Sequence, residues 1–174
     1  MAVASITSDY TGRRKDISIL QYPDPTFSPE SVTSLSMSQA LKARQTVFPK
    51  FGNQTRYCAG VQKLIQKYAI ILLTGLGSQP FYAAFGTDFM PNLQAGVSPT
   101  GKLLVTQYFM LASYEAVNVL KAYQIDNAAI VPLDERIANA ELLDVVLQGD
   151  YVAFKVAIST EAGDAVDFIV PLPK

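Results

Sequence analysis

Apolar residues recur at three- and four-residue steps along Cys58, Val61, Leu64, Ile65, Tyr68 and Leu72, with Gln62, Lys63, Gln66 and Lys67 between them. That spacing puts the apolar set on one face of a 3.6-residue helix, so the pattern predicts a helix from Gln54 to the Thr74-Gly75 step. A second helix is expected from about Lys102 to Tyr123, burying Phe109, Ala112, Ala116, Leu120 and Tyr123. Its apolar surface is wider than one stripe, the mark of a helix buried on more than one side in a core or an interface. The period then changes. Glu141 to Leu147, Tyr151 to Thr160 and Asp164 to Leu172 read as strands, and in the middle one Val152, Phe154, Val156 and Ile158 alternate with their neighbours. Gln148-Gly149-Asp150 and Glu161-Ala162-Gly163-Asp164 are turns of hairpin length. The expected fold is α+β: two principal helices followed by a three-stranded antiparallel sheet, with an extended N-terminal arm.

Between the two helices lies ILLTGLGSQPFYAAFGTDF, Ile71 to Phe89, where aromatic residues alternate with small ones around glycines and Pro80. Such a stretch is a rigid turn more than a linker, with Phe81, Tyr82 and Phe85 as packing anchors. The first fifty residues differ in character. Pro23, Pro25 and Pro29 favour an extended Gln21–Pro29 arm. Ile17, Ile19 and Tyr22 are suited to a short strand, and a capping box at Ser36 and Gln39 predicts a short helix to about Thr46. Phe48-Pro49-Lys50-Phe51-Gly52-Asn53 breaks that helix, dividing the chain into residues 1–53, the arm, and 54–174, the α+β domain.

Composition narrows the function. Hydrophobic residues make up 49% and charged residues 17% of the 174 positions, against roughly 25% charged in an average domain. So little charge suits a subunit buried in an assembly. A net charge of −1 argues against a protein that relies on bulk attraction to phosphates. The absence of histidine removes the commonest general base and most zinc sites, and the single cysteine, Cys58, rules out an internal disulfide. Cys58 reads as an inert core thiol, and Arg13-Arg14-Lys15 as a solvated patch. No phosphate loop or calcium loop is present, so no cofactor and no metal is expected. The apolar runs are too short to span a bilayer and the N-terminus lacks a signal-peptide core, so the expectation is a soluble protein made in the cytoplasm.

Two segments remain as candidates for chemistry or recognition. Asp88, Glu115, Asp134 and Glu135 are the carboxylates a two-acid glycosidase would need, but nothing in the sequence places two of them across a cleft. Leu133-Asp134-Glu135-Arg136-Ile137 sits where helix gives way to strand. It reads equally as a solvated exit turn or as an elbow in which Arg136 forks onto a carboxylate of a partner or of the aromatic loop. Asp88 is a candidate to cap the turn that follows it or to pair with Arg136.

Taken together, these motifs resemble a known family. The helix ending in Ile71-Leu72-Leu73-Thr74, then Pro80-Phe81 and Phe85-Gly86-Thr87-Asp88, looks like the signature of the small baseplate wedge subunit that initiates the sheath of contractile phage tails. Relatives of that family occur in type VI secretion systems and other contractile injection machines. Gln79 stands where the family has arginine, and Thr87 where it has serine. Asp134-Glu135-Arg136-Ile137 is similar to the family's Glu-Pro-Arg-apolar elbow, without the proline. The resemblance spans Gln54 to Leu172. It implies a structural, non-enzymatic protein present in six copies in the virion tail baseplate, assembled in the host cytoplasm. Its implied partners are other wedge subunits, the sheath protein and the tube or hub, with no nucleic acid and no membrane. The implied docking residues are Pro80, Phe81, Phe85, Gly86, Asp88, Asp134 and Arg136. Val156, Ile158, Phe168 and Val170 would lie in the sheet to which sheath strands add. The competing expectation is a cell-wall glycoside hydrolase using Asp88 with Glu115 or Glu135.

Overall fold

Among the described residues, a meander of three long antiparallel strands forms the centre of the structure, and three helices carry the chain up to it. The computed structural model describes residues 14–18, 20–21, 46–49, 56–94, 101–148 and 151–173. In chain order these are β1 (Asp16–Ser18), β2 (Leu20–Gln21), β3 (Thr46–Pro49), β4 (Arg56–Cys58), α1 (Val61–Leu73), α2 (Phe89–Gln94) and α3 (Lys102–Asp126). A 3-10 turn at Leu133–Glu135 leads into β5 (Ile137–Gln148), β6 (Tyr151–Thr160) and β7 (Ala165–Pro173). The fold is α+β, as the change of period predicts. The Gln21–Pro29 arm beyond Gln21, and the Ser36–Thr46 helix before Thr46, lie outside the described residues, as do Ile19, Tyr22 and the Gly149-Asp150 turn. Ile17 does fall in a strand, and Thr46 begins another.

The main sheet has the order β2-β3-β7-β6-β5. Its centre is a meander in which Val156 pairs with Phe168 on one side and Leu142 on the other. β3 joins β7 in parallel, Val47 opposite Phe168. The outer edge of β7 is therefore partly paired. β5 forms the opposite end of the sheet, and its register against β6 skips between Ile137 and Asn139 and again between Leu142 and Asp144. β1 and β4 make a separate two-stranded ribbon.

The first helix begins later than its periodicity suggests. Arg56–Cys58 pairs with Asp16–Ser18 as a strand, and Gly60 turns the chain with φ 62° before α1 starts at Val61. Cys58 continues the apolar spacing but is buried from a strand. Burial, and then the charge of Asp16, raise its thiol from 9.0 to about 11, which leaves it protonated. Along α3 the core face is Val105, Phe109, Ala112, Ala116 and Leu120, but Gln124 takes the last inward position and Tyr123 is exposed. The Tyr123 ring instead lies under the Lys67 ammonium at 4.5 Å.

Helices and sheet meet in one aromatic core. Phe109 stacks on Phe154 at 4.2 Å, and Phe89 meets both edge-on at 5.3 and 5.5 Å. Rings of this kind add about 0.5–1.5 kcal/mol per pair beyond their buried area. Phe89 opens α2, a short helix that the sequence pattern does not announce, and pins it to the core. Tyr68 packs edge-on to Phe168 and hydrogen-bonds Ser113 at 2.7 Å; burial raises its phenol well above the usual range.

Candidate functional site

The loop between α1 and α2 has a closed base and an open tip. At the base, Thr87 N–H donates to Thr74 O at 2.9 Å, and Leu76 N–H donates to Thr87 O at 3.0 Å. The Thr87 hydroxyl donates to Leu72 O at 2.8 Å and accepts from Phe89 N–H at 3.3 Å. One side chain thus ties the end of α1 to the start of α2. Gly86 must be glycine here: φ is +108°, and a Cβ would sit 2.6 Å from Thr74 O. Phe85 packs partly against the core. Beyond this base, Phe81 is 91% and Tyr82 68% exposed, and Pro80 is exposed too. Phe81 and Tyr82 are therefore not packing anchors within the chain.

The elbow is built in layers. Glu135, 5% exposed, accepts from Gly60 N–H at 3.1 Å and pairs with the Lys63 ammonium at 3.0 Å. Gly60 and Lys63 belong to the start of α1, whose N-terminus has no side-chain cap of its own. A carboxylate distant in sequence fills that place, satisfying an orphan donor and the positive end of the helix dipole. Gln124 reaches from α3 to the same turn: its amide donates to Glu135 O at 2.9 Å and accepts from Ile137 N–H at 3.0 Å. Lys63 and Gln66 carry the network outward, donating to Arg14 O at 3.3 Å and Ile17 O at 2.7 Å.

Arg136 points the other way. Its guanidinium donates to Val131 O at 2.9 Å and Ala128 O at 2.6 Å, in the turn that follows α3, and pairs with Glu161 at 3.5 Å. Glu161 N–H returns a bond to Arg136 O at 3.0 Å. The segment is an elbow held within the chain, by contacts that neither expected reading named. The acid that Arg136 meets is Glu161 of the β6–β7 turn, not Asp88. Asp88 is exposed, and the N–H at the start of α2 is met by Thr87. Asp134 lies half-buried in the 3-10 turn beside the braced pair.

The expected sheet residues need correction. Val156, Ile158, Phe168 and Val170 are all buried in the core cluster. They point from β6 and β7 toward the helices, so their side chains are not available to a partner. Alternation identified the face that faces inward, and inward here means the chain's own helices. Lys155 and Asp167 pair at 3.5 Å elsewhere on the same strands, with Asp167 fully buried. Sequence reasoning left out Glu135 as a helix cap, Gln124 as a bridge and Thr87 as a staple. One signal existed: Ala59-Gly60-Val61 starts a helix without a capping side chain, so a cap had to come from elsewhere.

Among the described residues, no cluster of Cys, Asp and Glu is arranged to hold a metal, and no helix is long and apolar enough to cross a membrane. Glu135 is committed to Lys63 and Gly60. No family model, curated protein or solved structure matches this chain.

Proposed function

We propose that the chain is a structural subunit of a contractile-tail baseplate, joining the inner wedge to the first sheath ring and templating the sheath by strand addition. The observation that carries this reading is β5, a strand of 12 residues that ends the sheet with no neighbour on its outer side among the described residues. An open edge presents a row of backbone donors and acceptors, and an added strand gains affinity through them with little demand on side-chain identity. β5 offers this edge rather than β7, because β3 already pairs with part of β7. The two register skips divide the edge, leaving Asn139–Leu142 and Asp144–Gln148 as its regular stretches. The Glu135–Arg136 brace fixes the entry to β5 against both long helices, so the edge has a defined direction. The aromatic tip supplies a docking point for other wedge subunits, and the tube or hub completes the set of partners around six copies.

Leu143 has no partner on β6, lying where the register skips. Proline is tolerated at a bulge, and there it interrupts the regular ladder an added strand would need. Leu143→Pro should leave the far-UV circular dichroism of the purified protein unchanged. In the producing host it should yield tubes and baseplates without sheath when viewed by electron microscopy. Normally sheathed tails from this variant would refute the role.

A further inference from the structure

The register skip at Leu143 decides which side chains of β5 share a face. In a regular strand, residues three apart point to opposite sides of the sheet, so Glu141 and Asp144 would be separated. In this sheet Glu141 lies opposite Ala157 and Asp144 opposite Lys155, two positions apart on β6. Leu143 is the extra residue, and both carboxylates therefore stand on one face. That face is turned away from the helices, because Val156, between Ala157 and Lys155, points into the core. Leu142, opposite Val156, lies on the helix side and packs partly against that core. Glu141 and Asp144 are both exposed. Among the described residues Glu141 makes no ion pair, and Asp144 meets only Lys102, at 3.7 Å. Both members of that pair are more than half exposed, so it contributes little. Lys155 is held by Asp167 at 3.5 Å. From Ile137 to Gln148 there is no basic residue and no proline, although lysine and proline are common guards of an exposed edge.

We propose that the strand that adds to β5 is a basic one, with lysine or arginine at two alternate positions opposite Glu141 and Asp144 and an apolar residue between them opposite Leu142. This rests on the strand-addition reading above and names the chemistry of the partner. Residues directly opposite on neighbouring strands have Cβ atoms roughly 4.5–5.5 Å apart, where opposite charges stabilise the pairing and like charges destabilise it. A partner with acids at those positions would crowd like charges on one exposed face. On the other side of the sheet α3 runs alongside β5. Lys102 at its start reaches Asp144, and Gln124 near its end holds Ile137 N–H. The middle residue of the added strand faces that side beside Leu142, where an apolar side chain extends the covered surface. The basic-apolar-basic pattern is a consequence of the bulge, since without it the two acids would ask for charge on both faces of the partner.

The test uses two fluorescently labelled peptides of about ten residues, one alternating lysine with valine and the other glutamate with valine, long enough to cover the edge. Each is titrated with the full chain and followed by anisotropy. In low salt the lysine peptide should bind roughly tenfold more tightly, the combined effect of favourable cross-strand pairs against like-charge contacts. The preference should shrink in about 1 M salt, where exposed charges are screened within about 3 Å. Glu141→Lys, which touches no described ion pair, should remove most of the preference. The double variant Glu141→Lys with Asp144→Lys should prefer the glutamate peptide, with circular dichroism establishing that both variants are folded. Leu143→Pro should weaken both peptides, which separates pairing at this edge from charge attraction elsewhere. Equal binding of the two peptides by the wild type, or a preference that Glu141→Lys leaves unchanged, would overturn the basic strand while leaving strand addition in place. Binding of neither peptide, or binding untouched by Leu143→Pro, would overturn strand addition at β5 and this proposal with it.

Discussion

Replacing Glu135 with alanine would remove the cap of α1 and the counter-charge of Lys63 in one step. The pair is 3.0 Å apart with side chains 14% and 5% exposed, so solvent screens it little. Breaking a buried pair by deleting one partner costs about 3–5 kcal/mol, because the remaining charge is stranded. The Gly60 N–H, 3.1 Å from the carboxylate, loses its acceptor as well, and that loss falls within the same range. Against a total stability of about 5–15 kcal/mol this is a large fraction. For a chain of this length it corresponds to a drop in Tm of roughly 6–20 °C. Urea and thermal melts followed by far-UV circular dichroism would measure it. Glu135→Gln keeps an acceptor for Gly60 but not the charge, and should fall between wild type and alanine. The double variant Lys63→Met with Glu135→Ala should be less destabilised than the sum of the singles, by roughly 0.5–3 kcal/mol, since no charge is left buried alone. The amide of Gly60 should also exchange with solvent faster in both Glu135 variants. An alanine variant within about 0.5 kcal/mol of wild type, or a strictly additive double variant, would refute the capping argument.

Two further outcomes join that stated for Leu143. Gly86→Ala forces a side chain into a left-handed backbone 2.6 Å from Thr74 O; it should cost about 1–3 kcal/mol in a denaturant melt, while Gly163→Ala, at a turn with open space around it, should cost less. The Cys58 thiol, raised from 9.0 to about 11 by burial, should resist thiol reagents in the native protein and react at once on unfolding. Because the native state holds this proton more tightly than the unfolded one, stability should fall as pH rises from 9.0 to about 11. Cys58→Ala should abolish that part of the slope, and an unchanged slope in the variant would show that other groups produce it.

The elbow and the loop share a design in which local weakness is met by a distant group. α1 starts without a capping side chain and is capped by Glu135; it ends at Thr74, whose carbonyl is taken by Thr87 N–H. Both ends of one helix are therefore fixed to segments that carry the candidate surfaces. The loop tip gains stiffness from the second tie and the entry to β5 from the first. A rigid mount loses less entropy when a partner binds.

Periodicity alone made the architecture legible. The interior of α1, all but the last turn of α3, and the three long strands follow from spacing, because a buried face must repeat with the geometry of its element. The alternation along β6 likewise marked Val156 and Ile158 as inward-facing. Local pattern could not say what inward faces, and the chain's own helices, rather than a partner, cover those residues. Nor could it separate Arg56–Cys58 from α1, since a three-residue strand ended by a glycine leaves the apolar spacing intact; pairing with β1 decided that boundary. The aromatic loop was evident as a feature, but not which of its rings turn inward. Phe85 and Phe89 reach the core and Phe81 and Tyr82 do not, a division set by where Thr87 and Gly86 close the base. The elbow was visible as an acid beside a base, yet its partners lie in α1, α3 and the β6–β7 turn. Hydrogen bonds between groups so far apart in the chain exist only once packing has brought the elements together, and composition and period carry no record of them.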